Sequence, residues 1–195
     1  MNVKLIFSIL ASVIVVVAYY PYVRDIFKGK TKPHIYTWLI WFLTTITALA
    51  GLLKGGSING ATPIMISLVL VFSIVVLSLK YGTKDITIGD TVVLTLALLS
   101  IVVWWQLEQP VLAVFMATAI DLFGYIPTIR KSWNAPQEET FSFWVAMVVI
   151  YSLVFLAISE YNLLTVPYVV MCIIVDLLLV ILLFYRRKVL KNKKA

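Results

Sequence analysis

Seven long apolar runs, separated by short polar segments, dominate the pattern of this chain. The runs cover residues 5–22, 35–53, 61–79, 91–107, 111–128, 141–158 and 164–185. A helix needs about 20 apolar residues to cross the roughly 30 Å hydrocarbon layer of a bilayer, and these runs are close to that length. The pattern therefore predicts an all-α membrane protein with seven transmembrane helices.

The composition agrees with that prediction. Apolar residues make up 62% of the chain and charged residues only 13%, whereas a typical soluble domain has about 25% charged residues. The single cysteine, Cys172, lies within the seventh run and cannot form an intrachain disulfide.

The basic residues fall almost entirely on one side of the predicted topology. Of the 16 lysines and arginines, all but Lys4 and Lys54 follow odd-numbered runs or lie in the tail. By the positive-inside rule, the amino terminus is predicted outside and the carboxyl terminus in the cytoplasm, in a plasma or inner membrane. The net charge of +7 is then explained by basic residues that fix the orientation of the chain in the lipid bilayer. Nucleic acid is not an expected partner.

Two segments of the chain repeat each other at an offset of 106 residues. The recurring positions are Tyr19, Pro21, Arg24 and Trp38, which return as Tyr125, Pro127, Arg130 and Trp144. Such self-similarity predicts a duplicated unit of three helices, at 1–85 and 110–195. The remaining segment, 86–109, would be a linker helix, and its single crossing would give both units the same orientation.

The layout and one motif resemble the SWEET, SemiSWEET and PQ-loop (MtN3-like) membrane transporters. The motif is Tyr-Ile-Pro-Thr-Ile-Arg-Lys-Ser-Trp at 125–133, followed by a polar loop and an aromatic-led helix. The chain departs from the family at its namesake pair, because Pro21 is followed by Tyr22 and Pro127 by Thr128 rather than by glutamine.

The resemblance implies two parallel triple-helix bundles joined by a linker helix, in a 3+1+3 arrangement. It also implies transport of a small polar solute, such as a sugar, amino acid or nucleoside, by alternating access. A membrane receptor or scaffold of the same fold that does not transport is the alternative. Assembly of the protein into a homo-oligomer is also left open by the sequence.

Pro21 and Pro127 lie near the ends of the first and fifth runs. A proline within a helix removes a backbone donor and leaves a bendable point. The resemblance implies that both prolines are hinges for alternating access. The other interpretation is that each proline ends its helix before a basic loop.

Asp121 and Asp176 give the sharpest chemical signal, because each interrupts an apolar run. An aspartate at mid-membrane costs about 2.5–3.5 kcal/mol on insertion scales, so both should face the bundle interior or a cavity. Helical spacing puts Thr118 on the face of Asp121, and Tyr168 on the face of Asp176. Our hypothesis is that the carboxyl groups bind a proton or a cationic group, which leaves facilitated and proton-linked transport both open. The alternative is a protonated carboxyl bonded to a neighbouring tyrosine or threonine that holds helices together.

Three residues of the second run, Trp41, Thr44 and Thr45, are further candidates for contact with a solute. An aromatic plane beside hydroxyl groups suits a small polar ring compound. Trp38 and Trp144 begin their helices near the predicted interface, where anchoring in the aromatic belt is favoured.

Polar residues near the helix starts are weaker candidates. The resemblance implies substrate contact for Asn59 and Asn162, but their positions at the starts of helices favour capping. Asp90 is predicted to cap the linker helix, and His34 to be a solvated interface residue. No metal site or cofactor is predicted.

Catalysis is not expected from this sequence. An intramembrane aspartyl enzyme is a minor alternative, because two aspartates lie in separate runs. Such enzymes carry a Gly-x-Gly-Asp motif, whereas the segment 87–90 reads Thr-Ile-Gly-Asp and lacks the first glycine. No P-loop, Gly-x-Ser-x-Gly or His-Glu-x-x-His motif occurs.

Overall fold

The computed structural model describes residues 3–83, 86–107 and 109–192, and these residues form α-helices joined by short connections. The helices are α1 (Val3–Phe27), α2 (Ile35–Lys54), α3 (Ile58–Tyr81), α4 (Ile88–Leu107), α5 (Pro110–Asn134), α6 (Phe141–Ala157) and α7 (Val166–Asn192). A short 3₁₀ turn, Pro136–Glu138, lies between α5 and α6. The prediction of an all-α protein is therefore confirmed.

Five helices, α1, α2, α3, α5 and α7, are long and apolar enough to cross a bilayer. The chain is accordingly an integral membrane protein. The other two helices offer shorter apolar stretches, Ile88–Leu99 in α4 and Phe141–Ala157 in α6. Five of the seven predicted spans are thus confirmed by length and composition, and the other two stay predictions.

The helix ends differ from the sequence pattern where prolines and polar caps occur. Pro21 and Pro127 both lie inside their helices, because α1 continues to Phe27 and α5 to Asn134. The interpretation that these prolines end their helices is therefore wrong. After α1 the chain turns at Gly29, whose φ of 67° is a conformation that favours glycine.

Helix α3 packs against both α1 and α2, and we call these three helices the first group. Helix α7 packs against both α5 and α6, and we call these three helices the second group. Between the groups, α1 packs on α6, α2 packs on α5, and α3 also touches α6. Helix α4 lies against α2 and α5.

Polar contacts identify the two ends of this bundle. We call the end that contains the α1–α2 and α5–α6 connections the basic end. There Thr31 and Thr140 are joined by a 2.7 Å hydroxyl hydrogen bond, and Lys131 at the end of α5 donates to the Lys32 carbonyl. At the amino-terminal end, Lys4 donates to the carbonyl of Ser159 at 2.7 Å. Helices α1 and α5 both run from the amino-terminal end to the basic end. Which end faces the cytoplasm stays a prediction.

Candidate functional site: a carboxyl-lined aromatic cavity

A small cavity lies between the two groups of helices. Its 14 lining residues come from α1, α2, α3, α5, α6 and α7. Eight of these residues are aromatic and two are aspartates. No lysine, arginine or histidine of the described parts of the chain lines the cavity. The cavity volume is about 30 Å³, which is room for water but not for a larger solute.

Asp121 lies on α5 at one side of this cavity and is 1% exposed. Its Oδ1 accepts hydrogen bonds from the Thr44 hydroxyl of α2 and, at 3.2 Å, from the Tyr168 hydroxyl of α7. Thr45 Oγ1 lies 3.4 Å from the same tyrosine hydroxyl. These contacts join α2, α5 and α7 around one carboxyl group, and they bring together four of the predicted site residues.

Asp176 lies on α7 and is fully buried. Its Oδ1 accepts a 2.8 Å hydrogen bond from the Tyr125 hydroxyl of α5. Its Oδ2 is buried and has no hydrogen-bond partner among the residues that the structure describes. A buried polar atom without a partner costs free energy, so this oxygen marks the point where a further donor or a positive group would be stabilised.

Trp41 of α2 also lines this cavity. Its ring centroid lies 4.6 Å from that of Tyr125, and its Nε1 has no hydrogen-bond partner within the described residues. Helices α2 and α5 approach closely at Gly124, where a Cβ atom would lie 3.0 Å from Ile40 Cγ2 and 3.2 Å from Trp41 Nε1. The absence of a side chain there leaves room for the indole.

Trp38 and Trp144 also line the cavity, and each is 2% exposed. The belt prediction for these two residues is therefore wrong. Their ring centroids lie 5.3 Å and 5.7 Å from that of Trp41, and Phe143 and Tyr22 cover Trp38 from the side of α6 and α1. The indoles are interior because α1 packs on α6 over them, and only the tertiary contact shows this.

Three sequence candidates lie away from the cavity. Thr118 is half-buried and donates to its own helix at the Val114 carbonyl, 2.7 Å away. Asn59 donates to Ser159 Oγ at 3.3 Å, and Asn162 donates to the Gly55 carbonyl at 3.0 Å, both at the amino-terminal end.

Asn59 does not cap its helix, because the residue at the N-cap of α3 is Ser57. Helix α7 begins at Val166, four residues after Asn162. Asn162 Oδ1 accepts a hydrogen bond from the Leu164 backbone N–H, and the Asn162 carbonyl accepts one from the Val166 N–H. Asn162 therefore caps the turn that leads into α7.

The two predicted hinges lie beside the cavity. Pro21 follows the cavity residue Tyr19 by two positions in α1, and Pro127 follows Tyr125 by two positions in α5. Because proline lacks a backbone N–H, each helix loses one hydrogen bond of its ladder at this level. Both helices can therefore bend most easily just beyond the cavity, toward the basic end.

A buried polar network closes the basic end, and sequence reasoning missed it. Glu139 is 3% exposed, forms an ion pair with Lys131 and accepts a 3.0 Å hydrogen bond from Trp144 Nε1. Asp25 of α1 accepts a 3.1 Å hydrogen bond from the Thr140 hydroxyl. The acidic pair at 138–139, which follows a basic segment, is the only sequence signal that could have identified this network.

A second cluster at the basic end corrects two predictions. His34 is 3% exposed, so it is not a solvated residue, and its Nε2 lies 3.7 Å from Asp90 Oδ2. Arg130 Nη2 lies 3.6 Å from the same oxygen. Asp90 is the third residue of α4 and not its cap. It forms a reciprocal pair with Thr87, whose backbone N–H donates to Asp90 Oδ2 at 2.8 Å.

The lining of the cavity limits what could bind there. It offers carboxyl and hydroxyl oxygens and aromatic ring faces, which disfavour an anion. The described residues contain no group of three or more histidines, cysteines or acidic residues that could hold a metal ion. No protein-family model, curated protein or solved structure matches the chain. The functional conclusion therefore depends on the geometry of this site.

Proposed function

We propose that the chain is a transporter of the SWEET and PQ-loop type that moves a small polar solute by alternating access. In this proposal α1–α3 and α5–α7 are two parallel triple-helix bundles joined by α4. The observation that carries the proposal is the cavity itself. It lies between the two groups of helices, and its two buried carboxyl groups come from the middle parts of α5 and α7. Ionisable groups at that depth are costly and usually mark a substrate or ion pathway.

The helix packing supports the two-bundle arrangement. In each group the third helix packs against both of the others, and α1 and α5 both run toward the basic end. Helix α6 has 17 residues, which span about 26 Å at 1.5 Å per residue and fall at the lower limit for a membrane helix. Together with the linker α4, this arrangement supports seven crossings.

The contacts at both ends support a pathway that opens at one end at a time. At the basic end the two groups are joined by the Thr31–Thr140 hydrogen bond and by the ion pair of Lys32 with Glu138. At the amino-terminal end they are joined through Asn162 and the Gly55 carbonyl. Since the cavity of about 30 Å³ is too small for an organic solute, one of these sets must separate for a solute to enter. Bending at the two prolines would separate the basic end.

The orientation follows from the distribution of charge. Of the 16 lysines and arginines of the sequence, 14 follow odd-numbered apolar runs or lie in the tail, and such residues are retained on the cytoplasmic side. In the proposed orientation the amino terminus is therefore outside and the tail is in the cytoplasm.

Counterflow in proteoliposomes tests this function. Vesicles that contain the protein are loaded with an unlabelled sugar, amino acid, nucleoside or organic cation, and uptake of the same labelled compound is measured. We expect saturable exchange of at least one compound, reduced at least about tenfold by Asp121→Asn or Asp176→Asn, since each variant alters a buried group of the pathway. Glu160→Gln, which removes a charge in the loop before α7, is the matched control and should leave exchange unchanged. Saturable binding without exchange would contradict transport and favour a receptor.

A further inference from the structure

We infer that the solute of this cavity is a small organic cation whose positive group lies against Asp176 and the surrounding indole rings. The inference rests on the proposed function for the location of the site. It goes further because it assigns the chemical class of the ligand from the groups that line the cavity.

The first argument is the unequal state of the two carboxyl groups. Asp121 is supplied with two hydroxyl donors, from Thr44 and Tyr168. Asp176 receives only the Tyr125 hydroxyl, and its second oxygen is buried without a partner. Since no basic side chain is among the lining residues in the described chain, a positive charge beside Asp176 must come from a proton or from a ligand.

The second argument is the aromatic lining. Trp38, Trp41 and Trp144 stand together, with neighbouring ring centroids 5.3 Å and 5.7 Å apart, and all three line the cavity. Aromatic faces attract cations through their quadrupole, and tryptophan does so most strongly. An inorganic ion such as Na⁺ would be held by oxygen ligands and would gain nothing from the ring faces, so the experiment below tests Na⁺ separately.

The third argument concerns hydrogen bonds inside the cavity. The hydroxyl groups of Thr44, Thr45, Tyr125 and Tyr168 are already engaged with the two aspartates or with each other. Among the fully buried side-chain atoms of the described chain, those that line the cavity and lack a partner are Asp176 Oδ2 and Trp41 Nε1. A cation that also carries one acceptor fits both atoms.

Binding must move the rings, which gives the experiment its signal. The cavity of about 30 Å³ is smaller than any organic cation, so the tryptophans that line it must separate when the ligand enters. The intrinsic tryptophan fluorescence of the detergent-purified protein therefore reports binding directly.

The test compares cations with uncharged molecules of nearly the same shape. The pairs are choline with 3,3-dimethylbutan-1-ol, benzylammonium with benzyl alcohol, and guanidinium with urea. We expect at least one cation to give a saturable fluorescence change, with its neutral counterpart at least about tenfold weaker, because the neutral molecule loses both the carboxyl and the ring attraction. Asp176→Asn should weaken that cation about tenfold and leave the neutral molecule unchanged, whereas Glu160→Gln should change neither.

The outcomes separate this inference from the proposed transport. If no cation of the series binds better than its neutral counterpart, the inference is wrong, and exchange of a sugar or nucleoside in the same preparation would leave transport standing. A fluorescence change with NaCl but not with an equal concentration of CsCl, in a protein that ignores the organic cations, also overturns it. Binding of a cation without counterflow would support the inference and contradict transport.

Discussion

Replacing Tyr125 by phenylalanine should destabilise the helix bundle more than the same replacement of Tyr168. The Tyr125 hydroxyl is the only donor that reaches Asp176 among the described residues, at 2.8 Å. Its removal leaves a fully buried carboxyl group with no hydrogen bond. Asp121, in contrast, keeps the Thr44 hydroxyl when the Tyr168 hydroxyl is removed.

The magnitudes follow from these contacts. A buried polar group left without any partner costs about 1–3 kcal/mol, while hydrogen bonds between membrane helices average about 0.6 kcal/mol with a maximum of about 1.7 kcal/mol. Since Asp176 loses its single bond, Tyr125→Phe should fall at the upper end, at about 1.5 kcal/mol. Tyr168→Phe removes one of two donors on its partner and should cost about 0.5 kcal/mol. The aromatic ring is kept in both variants, so packing changes little.

Reversible unfolding in mixed detergent micelles measures these differences. Tyr185→Phe is the matched control, because Tyr185 is exposed and its variant should stay within about 0.5 kcal/mol of the parent protein. In a double-mutant cycle, Tyr125→Phe combined with Asp176→Asn should show coupling of about 1 kcal/mol. Equal costs for the Tyr125 and Tyr168 variants, or no coupling in the cycle, would refute the reasoning.

Two further predictions concern close packing and the basic end. Gly51→Ala should lower the free energy of unfolding by about 1–3 kcal/mol in the same assay, because the added Cβ atom would lie 2.7 Å from Val114 Cγ2 and 2.9 Å from the Leu164 carbonyl oxygen. In the control variant Gly89→Ala the added Cβ atom would have nothing nearer than 3.7 Å, so this variant should not be destabilised. Equal effects of the two substitutions would contradict the close packing at Gly51. Glu139→Gln removes a buried charge from the ion pair with Lys131 of α5 and should loosen the basic end. Cysteines introduced at that end should then react faster with a thiol reagent. An unchanged labelling rate would show that the ion pair does not hold this end closed.

The apolar spans and the interior aspartates could be predicted from sequence for a simple physical reason. Crossing a bilayer requires a minimum length of apolar helix, and that length is visible in the chain. A charge inside such a run must avoid lipid, so the burial of Asp121 and Asp176 follows from energetics alone.

The aromatic lining could not be predicted in the same way. Trp38 and Trp144 lie near helix starts, and a tryptophan there suits either the membrane interface or the interior. The choice depends on the packing of α1 on α6, which brings Tyr22 and Phe143 over the indoles. Helices that are apolar on all sides give no periodicity from which that packing could be deduced.

The basic-end clusters were missed because tertiary packing and an irregular turn bring their members together. His34 precedes α2 and Asp90 lies in the first turn of α4, and they meet only when α2, α4 and α5 pack together. Lys131 and Glu139 are close in sequence, but the 3₁₀ turn between them gives no periodic pattern that would identify them as partners. A single sequence shows that these residues are polar and near helix ends, but not which of them are partners.

Alternating access requires that closing either end of the pathway stops transport. In protein with Cys172 replaced by alanine, one cysteine pair replaces Lys32 and Glu138 at the basic end, and another replaces Asn59 and Ser159 at the amino-terminal end. Each pair is linked by a short bifunctional thiol reagent, and counterflow of the solute found by the exchange panel is measured. We expect either cross-link alone to abolish counterflow, with the unlinked cysteine variants active. Counterflow that continues in fully cross-linked protein would contradict the account.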